Sequence, residues 1–265
     1  MTEKELLELE EREHDDALET VSAILVLLDL LDKNIQREFK DWYSKYSKDG
    51  VLKYSDTRRY LTPKELNDFN REHGTKLKRL RRDKALFLAY SFHTNAFLND
   101  YIEKLHDLGV TMIGYEAGQF KFDLDSEEVL ATPWGADYKT YEERVNDKRS
   151  KYLYELTTAT TRGIVREAKP EVISTALVAV VDSFRQNIKT LVLTEATAFA
   201  ARAKYRIYKV LFPNKHYKNV EVMDERTCPT CQEMNGRIFE MRAYEVGVTA
   251  PPYHPRCRGT TKIVD

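Results

Sequence analysis

From Leu6 to Phe39, apolar residues recur three and four positions apart: Leu6, Leu9, Ala17, Val21, Ile24, Leu28, Leu31, Ile35 and Phe39. That period lays them along one stripe of a helix, and neither Gly nor Pro interrupts the stretch. A chain that opens this way must bury a long apolar stripe against other helices. Thr2-Glu3-Lys4-Glu5 reads as a capping box at the start, and Asp49-Gly50 as the stop beyond about Tyr46. Only 10 Gly and 8 Pro occur among 265 residues, which disfavours a β-sandwich and excludes a collagenous or wholly disordered chain. The 42 Lys and Arg against 43 Asp and Glu leave a net charge of −1, so no global field draws the chain to nucleic acid or an anionic membrane. The apolar run Val21–Leu31 contains Asp29 and is shorter than the about 20 residues a spanning helix needs. The acidic start does not read as a signal peptide, so neither export nor a stable membrane anchor is expected.

Further helix starts are written at Thr62-Pro63-Lys64-Glu65 and at Lys169-Pro170. The text predicts a short helix to about Arg71, one from about Lys76 to His106 ending at Gly109, and helix over 126–168 with a break at Thr132–Gly135. A last helix is expected from Pro170 to about Tyr208. Val110–Asp123, with Gly114, Gly118 and the alternating Gln119–Phe122, reads as strand, as does Tyr217–Val222. The expected architecture is mainly α, an elongated bundle of long helices with a small C-terminal β module. The regions are 1–125, 126–213 and 214–265.

Chemistry concentrates at the end. The three cysteines, Cys228, Cys231 and Cys257, lie within the last 38 residues, and with His254 they spell C-x2-C-x22-H-x2-C. Two-residue spacers let both donors of a tight turn face one ion, so Cys228, Cys231, His254 and Cys257 form a candidate structural Zn2+ site. A module of this size has little core of its own, and a metal would supply stability. Asn235-Gly236 is a hairpin signal between the halves.

The tail also resembles the signature of the phage minor head, or head morphogenesis, proteins that include the Mu F-like family. Asp224, Arg226, Thr227, Cys228, Pro229, Cys231, Gly236, Pro252, His254, Pro255, Cys257 and Arg258 sit on that pattern. Trp134, Arg144, Thr161–Ile164, Pro170–Ile173 and Thr194-Glu195 follow in the family's order, so the resemblance covers about residues 130–265. The family often closes Cys-Arg-Cys, whereas this chain has Gly259 last, which leaves four donors. The resemblance implies a virion component of the capsid interior or portal vicinity, made in the host cytoplasm. Its implied partners are the portal protein and the major capsid or scaffold protein, and its implied work is head assembly or genome packaging and ejection.

A DNA-binding protein carried in the virion is the alternative. Two basic stretches support it: Lys76, Lys78, Arg79, Arg81 and Arg82, and Arg202, Lys204, Arg206 and Lys209 with interleaved tyrosines. Asp123–Glu128 reads as a helix cap, lacking the Gly and later Glu of a calcium loop. His14, His73, His93 and His106 have no partner at ligand spacing, and Glu195 makes no catalytic pair in the sequence. No hydrolase, nucleotide-binding or zinc-protease motif is present. A nuclease built on the cysteine module would need an open coordination position and a base such as Glu225 or Glu233. An enzyme is not expected.

Overall fold

A computed structural model of the chain describes residues 2–265. Helix α1 spans Glu3–Tyr46, its start closed by the reciprocal Thr2 and Glu5 bonds (3.2 and 2.7 Å). The predicted stripe is its buried face, from Leu6 through Ile24 and Leu28 to Phe39. After the short α2 (Tyr54–Thr57), α3 (Pro63–His73) begins at the predicted Thr62–Glu65 capping box and ends at Gly74, which takes the left-handed conformation at φ 63°.

Helix α4 runs Arg82–Phe120 and corrects the sequence reading at both ends. It starts later than Lys76 because residues 75–81 are held extended. Asn70 bonds both the N–H and the C=O of Leu77 (3.0 and 2.9 Å), and Tyr60 bridges Arg81. It does not stop at Gly109, nor does Val110–Phe120 form a strand. Leu105, Leu108, Met112 and Ile113 are buried at helical spacing, and that burial outweighs the about 1 kcal/mol that each glycine costs a helix. Gly109 has a packing reason: a Cβ there would overlap the Leu130 side chain and crowd the Phe199 ring.

Asp125 caps α5 (Ser126–Leu130) by accepting from the Glu127 and Glu128 N–H groups, as the acidic cluster suggested. Helices α6 (Tyr141–Val165) and α7 (Pro170–Leu211) follow. Between Ala196 and Tyr208 almost every residue of α7 is buried, the signature of a helix packed on all sides. Strand β1 (His216–Val220) begins after the expected boundary, followed by α8 (Pro229–Met234), β2 (Ile238–Glu240), a 3-10 turn (Met241–Ala243) and β3 (Thr260–Val264). Among the described residues no helix is long and apolar enough to cross a membrane.

The strands form a sheet of order β2-β1-β3, antiparallel throughout, with Tyr217 opposite Phe239 on one side and Ile263 on the other. Asn235-Gly236 is not a hairpin between consecutive strands. The Cys228-Pro229 helix start puts α8 before it, and the turn leads from α8 into β2. Its register is set on β1: Gly236 N–H donates to the Asn219 carbonyl (2.8 Å), and Asn235 Oδ1 accepts from the Glu221 N–H (3.0 Å).

By compactness the chain divides into two units that cut across chain order. The first holds residues 1–24, 102–145 and 187–265, and the second 25–101 and 146–186. Within the first, the sheet shares a core with the end of α7: Ile207, Tyr208, Tyr217, Met241, Tyr244 and Ala250, flanked by Phe120, Phe122 and Leu124. The residues read as an isolated strand thus cover the tail, which borrows helical surface for its core. In the second unit, Tyr152 stacks on Phe184 (4.4 Å between ring centroids) and Phe97 meets the same ring edge-on at 6.0 Å.

Candidate metal centre

The centre is built by two turns. In the first, Asp224–Thr227 closes on itself: Thr227 Oγ1 donates to the Val222 carbonyl (2.7 Å) and accepts from the Asp224 N–H (2.8 Å). Cys228 then caps α8, its Sγ accepting from the Cys231 N–H at 3.5 Å. That bond holds the half-buried Cys228 thiol below the usual thiol range and places Cys231 one turn on. The second turn is anchored on α7. The Arg256 N–H donates to Thr194 Oγ1 (3.0 Å), Arg256 Nε to Thr190 Oγ1 (3.0 Å), and Thr197 Oγ1 to the Cys257 carbonyl (2.8 Å). Arg258 clamps the turns together with two bonds to Asp224 (2.8 and 2.7 Å), which hold that carboxyl well below its ordinary range.

The donors converge. Cys228, Cys231 and His254 offer ligand atoms within 4.8 Å of one another, and so do Glu221, Cys231 and Cys257. Cys231 Sγ lies 3.1 Å from His254 Nε2 and 3.7 Å from Cys257 Sγ. Bonds of about 2.3 Å to sulfur and about 2.0 Å to nitrogen separate the ligand atoms of a tetrahedral zinc site by roughly 3.5 to 3.8 Å. The donor set and its spacing therefore fit the ion. His254 Nδ1 donates to the Pro255 carbonyl (2.9 Å), which leaves Nε2 as the lone-pair nitrogen facing the thiols. Cys231 and Cys257 are buried and share a hydrogen bond, so Cys257 is lowered to about 6 while Cys231 is raised. Cys228, Cys231, Cys257 and His254 would hold Zn2+ as a structural site that braces the two turns.

The other signature residues serve this frame. Asp224 and Arg258 join the turns, Thr227 closes the first, Gly236 adopts φ 78° at the entry to β2, and Pro252 is buried while Pro255 is exposed. Arg226 is exposed, 3.6 Å from Asp224. Glu225 and Glu233, the candidate bases, are both exposed, and Glu233 accepts from Arg237 Nη2 (2.5 Å). The sequence reading passed over Glu221, which is 4 % exposed, pushed up to about 8 by burial and the Cys257 charge, and sits beside the cysteines. Its one written signal is an acid between Val220 and Val222 in strand-like text.

A second buried site lies in the same unit. Glu195 is fully buried, accepts from Trp134 Nε1 (3.0 Å) and Arg144 Nη1 (2.8 Å), and Arg144 stacks over the Trp134 ring at 4.2 Å. Glu195 is thus a structural anchor with partners far away in the sequence. His93 and His106 are paired with Glu38 (3.1 Å) and Glu127 (2.9 Å), and His73 stacks on Phe92.

The second basic stretch is not a surface. Lys204 is 1 % exposed and pairs with Glu116 (2.9 Å) and Glu10 (3.3 Å), while Arg202, 4 % exposed, is lowered to about 10 by burial and bonds the Ala198 and Thr132 carbonyls. Both stand in the fully buried part of α7, where a cation must be paired. Arg206 pairs with Glu128 (2.7 Å), and Lys209 is exposed. Of the first stretch, Lys76, Lys78 and Arg79 are exposed, Arg81 pairs with Asp83 (3.0 Å), and Arg82 lies over the Tyr46 ring at 4.3 Å.

Residues 154–262, which carry both turns and the α7 face that anchors them, match the family described as Phage Mu protein F like protein. Over this stretch the chain is similar to the Mu F-like family. No curated protein and no solved structure matches the chain. The Mu F-like match contains the signature from Asp224 to Arg258 and the Thr194-Glu195 pair. Trp134 and Arg144 precede it in sequence, yet both bond Glu195 inside it.

Proposed function

We propose that this chain is a phage minor head protein that enters the procapsid beside the portal and aids head assembly or genome packaging and ejection. The match of residues 154–262 to the Mu F-like family carries this reading, and it supports a head morphogenesis protein located in the virion. In this reading the chain's part is structural, with the cysteine and histidine donors bracing the two turns of the tail. Helical surface is the contact to the portal, and to the major capsid or scaffold protein, in this reading. Quantitative mass spectrometry of sedimented particles tests it. Recovery from empty procapsids and DNA-filled heads alike, at a few copies per portal ring, is the expected result, and absence from both overturns it.

The alternative, a DNA-binding protein carried in the virion, now rests on Lys76, Lys78 and Arg79, which are exposed within one short segment. Binding of this kind weakens steeply with salt. Alanine at all three positions would abolish it, and recovery of the protein only from DNA-filled heads would favour this reading over assembly.

A further inference from the structure

The candidate centre contains a carboxylate that hydrogen bonding leaves unexplained. Glu221 follows β1 directly, its backbone N–H is tied to Asn235 Oδ1 (3.0 Å), and its side chain turns inward. Its Oε1 is buried with no hydrogen-bond partner, and its Oε2 lies 4.0 Å from Cys257 Sγ. One of its oxygens shares the 4.8 Å grouping with the Cys231 and Cys257 sulfurs. A buried carboxylate with a free oxygen beside two thiols is costly in either ionised arrangement. A cation among the three groups removes that cost.

The backbone opposite makes room for it. Gly259, two residues after Cys257, has no unusual φ that would demand glycine, yet a Cβ there would overlap both Glu221 oxygens and the carboxyl carbon. Glycine at 259 therefore answers to the carboxylate, which occupies the volume a side chain at this position would take.

We propose that Glu221 is a direct ligand of the metal ion, contributing a carboxylate oxygen next to Cys231 and Cys257 in a mixed thiolate, imidazole and carboxylate centre. Zinc accepts carboxylate oxygen as well as sulfur and nitrogen, and its coordination number expands to five. The carboxylate ties the end of β1 to the same ion as both turns, so strand, α8 and the His254–Cys257 turn share one node. This inference rests on the Cys/His centre being a metal site, and the experiment separates the two.

The full chain is purified and loaded with Co2+ or Zn2+. The Co2+ absorption spectrum, Zn2+ affinity by competition with a chromophoric chelator, and zinc-edge X-ray absorption are then compared for the wild type, Glu221→Gln and Gly259→Ala. Glutamine keeps the volume and removes the charge, whereas alanine at 259 leaves the carboxylate intact and displaces it. Both variants are expected to change the Co2+ ligand-field bands and to weaken Zn2+ by at least about tenfold. The wild-type absorption edge should require an oxygen donor besides the imidazole and sulfur ligands. That last measurement needs no variant and stands even if both substitutions prevent folding. Co2+ spectra identical in all three proteins, with affinities within threefold, overturn the role of Glu221 and leave the Cys/His centre in place. A wild type that binds neither ion overturns both.

Discussion

The two compact units solve the problem of burial differently. Among the described residues of the second unit, Asp83 is the one buried charged side chain, and the core is aliphatic and aromatic, with Phe39, Tyr90, Phe97, Tyr101, Tyr152 and Phe184 among the rings. The first unit buries Glu10, Glu13, Glu116, Glu195, Glu221, Arg202 and Lys204. An apolar core is tolerant and non-directional, whereas each buried charge must find a particular partner or its desolvation is uncompensated. The unit that holds the cysteine tail is thus the one whose packing is directional. Its stability should respond to metal, pH and single charge changes, and that of the second unit should not.

The largest test of this contrast is metal removal. A structural zinc site contributes on the order of 10 kcal/mol to the folding of a small module. Chelation, or Cys231→Ser without chelator, should abolish hydrogen-exchange protection over residues 216–264 and leave residues 146–186 unchanged. Protection of the tail that ignores chelator would remove the metal from the account.

Matched core substitutions come next. Lys204→Met strands Glu10, Glu13 and Glu116 without their cation, and Phe184→Ala opens a cavity beside Tyr152 and Phe97; each should cost about 3 to 5 kcal/mol in denaturant unfolding. Their pH profiles should differ. The Lys204→Met deficit should shrink as pH falls and the stranded carboxylates protonate, while that of Phe184→Ala should stay flat between pH 5 and 9. Parallel profiles would sink the distinction between the units.

The smallest expected effect belongs to Glu13. Burial, reinforced by Glu10 and Glu116, raises its carboxyl well above the ordinary range. A raised carboxyl contributes stability below its unfolded value and loses it as pH rises through its folded one. Glu13→Gln should therefore match the wild type in acid and exceed it by about 1 kcal/mol in alkali, read from thermal unfolding across pH. A variant less stable than the wild type at high pH would show that Glu13 is ionised and stabilising.

Local chemistry was legible in the text. The α1 stripe, the Thr2–Glu5 and Thr62–Glu65 capping boxes, the Asp125 cap, the Lys169-Pro170 restart and the passage from α7 to β1 all depend on residues within a turn or two of one another. The pairing of Cys228 with Cys231 was legible too, because a two-residue spacer constrains donors sterically, whereas His254 joins them across 22 residues through the fold. Strand β3 was not, since Thr260–Val264 carries no alternation and is a strand because β1 offers its free edge. The same holds for Val110–Phe120, whose two glycines weaken a helix that Met112 and Ile113 stabilise by burial.

Spacing and periodicity act within a turn, so the chain alone specified long helices, their caps and a cysteine-histidine tail. Charge is another matter, because a Lys or Glu is written identically whether it faces water or a core. Lys204 stands in a basic stretch and is buried between Glu10 and Glu116; Glu195 looks solitary and is held by Arg144 and Trp134; Glu221 lies unmarked just after β1 and faces two cysteines. Those assignments join residues up to 194 positions apart. They came from packing, since the free energy of a buried charge depends on which distant groups the fold brings against it.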